Sequence, residues 1–130
     1  MYASLKAVVA VVDDDPRVLK SLENLLESSG FAVRRYATAA EFLEDSMQSE
    51  VDCLIADVGL PVVDGVELQR LAEVKYPHLP VMLITGRHEL GSAGALAANN
   101  RGIFLKPFDS LKLIQAVAVA IEDARRGPAA

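Results

Sequence analysis

The sequence predicts an α/β fold, a single-domain doubly wound (βα)5 parallel sheet, and three observations predict it. Strand-like apolar runs alternate five times with stretches whose apolar residues recur at helical spacing. The run at 53–56, inside VDCLIADVGLPVVDG, is short, continuous and bounded by turn residues, as in a strand covered on both faces. Finally, 130 residues, 52% hydrophobic and 24% charged, suffice for one core and not for two, and exclude a disordered chain.

Taken in order, 7–12 is a β-branched run, hence a first strand, closed by Asp13, Asp14 and Asp15. Pro16 suits the first turn of a helix and Asp15 its cap. Val18, Leu19, Leu22, Leu25 and Leu26 carry that helix to Gly30. Residues 31–35 read as a short second strand. Thr38 caps the next helix, with Glu41 completing a capping box and Phe42, Leu43 and Met47 as its apolar residues.

The central strand ends on Asp57, followed by Gly59, Pro61 and the Asp64-Gly65 pair. Residues 66–75 read as a third helix with Leu68, Leu71 and Ala72 on its apolar face, ended by Pro77. Residues 80–84 are a fourth strand leading to Thr85, and 102–105 a fifth leading to Lys106 and Pro107. Between them, 87–100 should be a fourth helix, but Gly91, Gly94, Asn99 and Asn100 predict a short, weak one. A last helix starts at Asp109 or Ser110 and runs to about Arg126, so the domain spans 1–126 with a tail at 127–130.

The totals exclude several function classes. A net charge of −5 with no Lys/Arg run argues against a nucleic-acid surface. The run at 7–12 is too short for a signal peptide or a membrane span. One cysteine, Cys53, forms no intrachain disulfide and fits a cytoplasmic setting as a buried hydrophobe. His78 and His88 read as solvated surface.

In open parallel sheets, ligands bind beyond the carboxyl ends of the strands. Gathered there, Asp13, Asp14, Asp57, Thr85 and Lys106 form one constellation. Three carboxylates that close together repel one another unless a hard cation sits among them, and an octahedral Mg2+ would suit. Thr85 offers a hydroxyl and Lys106 an ammonium to a phosphoryl group on a carboxylate. Asp57 is the expected acceptor, because Asp13 and Asp14 lie adjacent and fit ligation better.

VVDDDPRV, LIADVGLPVVDG, VMLITG and FLKPF, in this order and spacing, resemble the receiver domain of two-component response regulators over residues 7–122. The resemblance implies a flavodoxin-like sheet of order 2-1-3-4-5. It also implies a phosphoryl group supplied by a histidine kinase or phosphotransfer protein. Asp57 matches the phosphoacceptor, Asp13 and Asp14 the acidic pair, and the Gly59 carbonyl a metal ligand. Thr85 matches the switch hydroxyl and Lys106 the phosphoryl-contacting lysine. Phe104 matches the switch aromatic, and the Lys106-Pro107 bond is expected to be cis. Gly59 and Arg87 occupy positions that tune phosphoryl lifetime in the family, and Leu60 replaces the usual Met.

The family often dimerises through its fourth helix, fifth strand and fifth helix. On the last helix, Leu113, Ala116 and Val119 are therefore the candidate partner face, with Val119 inside the polar stripe of Lys112, Gln115 and Glu122. The implied function is a phosphorylation switch with slow self-hydrolysis rather than an enzyme. Two other readings compete. A pseudo-receiver would keep the fold without phosphorylation, although all five chemical positions are filled. A haloacid-dehalogenase-like phosphatase would need a further acidic cluster after Lys106, and only Asp109, Glu122 and Asp123 follow. No effector pattern follows Arg126, so the output is open.

Overall fold

The computed structural model describes residues 6–45, 50–86 and 100–127. Five strands, β1 (Val8–Val12), β2 (Ala32–Tyr36), β3 (Cys53–Asp57), β4 (Val81–Thr85) and β5 (Asn100–Leu105), form one parallel sheet of order β2-β1-β3-β4-β5. The helices among the described residues are α1 (Pro16–Ser28), α2 (Ala39–Glu44), α3 (Gly65–Lys75) and α4 (Ser110–Arg126). The predicted fourth helix lies outside the described residues except for Asn100, which opens β5 instead. The predicted last helix is therefore α4. Met47 and residues 128–130 also lie outside the described residues.

Local chemistry sets the element boundaries. Asp15 caps α1 by accepting the Arg17 amide, with Pro16 at the first turn, and Gly30 leaves the helix at φ 98°. Thr38 accepts the Glu41 amide while Glu41 accepts the Ala37 amide, a capping box reaching one residue beyond the cap. Asp64 caps α3 through the Glu67 amide, and Asp109 caps α4 through the Lys112 amide.

The sheet is covered on both faces. Alternate residues of β1, β3 and β4 send Ala10, Val12, Leu54, Ala56, Val81 and Leu83 into one core with Phe42, Leu68 and Ala72. The intervening Val9, Val11, Cys53, Ile55, Met82 and Ile84 enter a second core with Leu19, Leu22, Leu26, Leu113, Val117 and Ile121. Burial pushes the Cys53 thiol up to about 12, so it behaves as an inert hydrophobe. No helix among the described residues is long and apolar enough to cross a membrane.

Three expected positions differ. Leu71 is 38% exposed, and Gln69 instead is wholly buried. The buried arc of α3 is set by Gly65, Leu68, Gln69 and Ala72, with Gln69 at one edge and Leu71 beyond the other. Leu113 is not on the surface: with Val117, Ala120 and Ile121 it forms the stripe of α4 that packs on the sheet. Ala116 also packs against that core, so of the candidate partner face only Val119 stands out, 54% exposed. The third difference, Phe104, is described below.

Between β4 and β5 the register shifts by one residue. Val81 pairs with Asn100, but Leu83 pairs with Ile103 and Thr85 with Leu105, so β5 carries one residue more than β4 over the same span.

Candidate functional site

β1 and β3 are adjacent central strands, and each ends in a carboxylate. Asp13 follows Val12 and Asp57 closes β3; they are 1% and 5% exposed. The alternation that sends Val11 and Ile55 into the second core continues to both acids, so they emerge on the same side of the sheet. Asp14, next in the chain, is exposed, and the three residues bring carboxylate oxygens within 4.8 Å of one another.

Backbone bonds hold this end of the sheet. The Asp13 amide donates to the Tyr36 carbonyl at 3.1 Å, and its side chain accepts the Asp15 amide at 2.9 Å. The Val58 amide donates to the Ile84 carbonyl at 2.8 Å and the Gly65 amide to the Val58 carbonyl at 3.0 Å. The loop after Asp57 is thereby tied to β4 on one side and to the start of α3 on the other. Leu60 is buried in the first core, whereas Gly59 is exposed in the same loop. Val62 has φ 66°, a left-handed backbone unusual for a β-branched residue, and its side chain is fully exposed.

Lys106 enters from the end of β5. Its Nζ lies 3.2 Å from Asp57 Oδ1 and 3.4 Å from Asp13 Oδ2, and its amide donates to the Thr85 carbonyl at 2.9 Å. The Lys106-Pro107 bond is cis. Burial by itself depresses the Lys106 pKa, but the two carboxylates outweigh it and hold the ammonium above its ordinary range. Burial raises the Asp13 carboxyl, partly offset by the Asp15 amide; the Asp57 charge raises it further and Lys106 pulls it back. Three carboxylates against one ammonium leave an excess of negative charge, and three carboxylate oxygens this close are a donor set suited to a hard divalent cation.

Thr85 closes β4, wholly buried, with its hydroxyl donating to the Gly86 carbonyl at 2.9 Å. It continues the alternation of Leu83, on the first-core face. Phe104 is on the other face: it pairs with Ile84 and packs against the second core. The β5 side chains that share a face with Thr85 are Ile103 and Leu105, and Ile103 packs against the first core. The sheet thus separates Phe104 from the Thr85 hydroxyl, which corrects the assignment of Phe104 as the aromatic that follows it. Arg87 lies outside the described residues.

Sequence reasoning missed two contributors. Gly65 was read only as part of a turn, yet its Cα packs directly on the backbone of Asp57 and Val58. The buried Gln69 had no apolar signal to reveal it. An i+4 count from Gly65 would have placed it on the inward side of α3.

Comparisons with known proteins agree with this geometry. Residues 9–118 match the response regulator receiver domain family. The transcriptional regulatory protein FixJ of Azorhizobium caulinodans is 36% identical over 114 residues, covering 87% of this chain and 54% of FixJ. Nodulation protein W of Bradyrhizobium diazoefficiens is 36% identical over 126 residues, covering 95% of this chain and 55% of that protein. The crystal structure of a response regulator receiver domain protein from Clostridium thermocellum superposes with TM-score 0.83 at 26% identity, covering 92% of this chain and 98% of that one. The chain spans about half the length of the curated relatives it matches. With its five-stranded parallel sheet and its pocket of Asp13, Asp14 and Asp57, the chain belongs to the response regulator receiver domain family.

Proposed function

We propose that this domain, residues 1–126, is a cytoplasmic phosphorylation switch in which Asp57 accepts a phosphoryl group from a histidine kinase or phosphotransfer protein in the presence of Mg2+. The observation that carries the reading is Lys106 Nζ at 3.2 Å from Asp57 Oδ1 and 3.4 Å from Asp13 Oδ2, inside a cluster of three carboxylates. A cation held by Asp13, Asp14, Asp57 and the Gly59 carbonyl would offset charge on the phosphoryl oxygens.

The chain's own residues do the rest. A carboxylate oxygen of Asp57 attacks phosphorus, the bond from phosphorus to the donor's imidazole nitrogen breaks, and the imidazole leaves. Lys106 is already within reach of Asp57 and contacts a phosphoryl oxygen as charge develops there. The Thr85 hydroxyl, at the end of the strand beside β3, exchanges its bond to the Gly86 carbonyl for one to the phosphoryl group, which extends past the strand ends where the two sheet faces meet. Since Ile103 and Leu105 share its face, that movement is passed to them rather than to Phe104. Gly59 and Arg87 tune the lifetime of the acyl phosphate. Self-association through the fifth strand and α4 uses Val119, not Leu113, as its apolar contact.

Incubation with Mg2+ and phosphoramidate or acetyl phosphate, followed by intact mass, tests the reading without a kinase. One added phosphoryl group is expected, dependent on Mg2+ and absent in Asp57→Asn. No adduct under any of these conditions would leave a pseudo-receiver as the better description.

A further inference from the structure

Gln69, on α3, is wholly buried, and its Oε1 accepts a hydrogen bond from Asn100 Nδ2 at 2.7 Å. Its Nε2 is buried without a hydrogen-bond partner among the described residues. Asn100 in turn accepts the Gly102 amide on its Oδ1 at 3.0 Å. A side-chain relay therefore runs from α3 to the first residues of β5, where the register with β4 shifts by one.

An apolar pair would fill the same space without stranding an amide donor, so burial alone does not account for this pair. Its geometry shows what it does. Across Val81 to Leu83 the fourth strand advances two residues while the fifth advances three, from Asn100 to Ile103. The Asn100 side chain takes up the Gly102 amide inside that extra segment, and Gly102 adopts φ 151° under the Phe104 ring, which would lie 3.0 Å from any Cβ there. Arg101, also in the segment, turns outward to Asp123 of α4 at 2.6 Å.

Without the extra residue, Thr85 would pair with Phe104 instead of Leu105. Lys106 would then sit one residue farther along, about 3.3 Å, with its side chain on the other face. We infer that the Gln69–Asn100 pair is a positioning device: it locks the β5 register that delivers Lys106 to Asp13 and Asp57. The inference rests on the phosphoacceptor reading for its functional consequence, though not for the register itself.

Two measurements on Asn100→Ala and on Gln69→Leu/Asn100→Ala test it, the double variant guarding against a simple folding defect by removing both amides. Cross-strand amide contacts between β4 and β5, read by NMR without any phosphoryl donor, should show Thr85 losing its single register with Leu105. The phosphoramidate reaction should slow about tenfold in both variants, and the loss should vanish in a Lys106→Ala background, because a misplaced lysine and an absent one are equivalent. Retention of the wild-type register in both variants would overturn the inference. So would a lost register with an unchanged rate, or an equal further slowing in the Lys106→Ala background. Failure of the wild-type protein to take up phosphate would instead count against the Asp57 reading and leave the register test intact.

Discussion

Gly65 and Asp57 are in backbone contact: a Cβ on Gly65 would lie 2.4 Å from the Asp57 carbonyl oxygen and 2.8 Å from its carbonyl carbon. The first residue of α3 thus buttresses the strand end that carries the central carboxylate. Ala is ordinarily better than Gly in a helix by about 1 kcal/mol. Here Gly65→Ala is expected to destabilise by about 2 kcal/mol, since backbone and not a flexible side chain must move. A urea midpoint that stays or rises in this variant would show that α3 can slide away from Asp57.

Val62 supplies the opposite case. Its φ of 66° costs a β-branched residue energy, and its fully exposed side chain recovers none by packing. Val62→Gly should therefore stabilise by about 0.5–1 kcal/mol, after allowing for the extra freedom of glycine in the unfolded chain. Equilibrium urea unfolding checks this, and a loss of stability would mean that the valine makes contacts that offset its strain.

Asp13 gives a pH dependence with a definite sign. Its folded-state carboxyl is held above the ordinary 3.8, chiefly by burial, so the folded protein binds this proton more tightly than the unfolded one. The ionised carboxylate therefore costs stability at neutral pH, and the cost is relieved as pH falls through the folded-state value. In chelator-treated protein Asp13→Asn should raise Tm at pH 7 by about 3–4 °C, near 1 kcal/mol, a gain that fades on acidification and is gone below about 3.8. Added Mg2+ should raise the Tm of the wild type more than that of the variant. Equal responses to Mg2+ would remove Asp13 from the cation's ligands.

Tyr36 is predicted to titrate late. Burial, and then its hydrogen bond and charge contact with Asp45, push the phenol up to about 12. The unfolded chain would lose this proton near 10, so stability falls between about pH 10 and 12. Absorbance titration should show a late ionisation step in the folded protein that disappears in Tyr36→Phe. A wild-type profile without that step would mean that the Asp45 contact does not persist in solution.

Most of the described architecture was legible because β1, β3 and β4 are short apolar runs and α1, α2 and α4 open on caps visible in the chain, Asp15, Thr38 and Asp109. Asp13, Asp14, Asp57 and Lys106 were legible as a group because strand ends in a parallel sheet fall on one edge. What escaped was orientation. Phe104 was placed by counting back from Lys106, but side-chain direction depends on pairing, and the extra residue near Gly102 alters the pairing without changing the count. Leu113 was assigned to a surface flank although four apolar residues at helical spacing put it under α4. Gln69 was invisible because a polar residue in a helix gives no sign of being inside until its partner, Asn100, is known.

The positions of β1 and β3 in the middle of the sheet have a kinetic corollary. Their amides donate alternately to the neighbouring strands on the two sides and are roofed by two cores, so they should exchange with solvent only through global unfolding. Edge strand β5 has one neighbour, and its amides can exchange through local opening. Such an opening would withdraw Lys106 while leaving Asp13 and Asp57 in place. The cluster would then face water with its negative charges uncompensated for as long as the edge stays open. Its affinity for a cation in that interval would be higher than in the closed form.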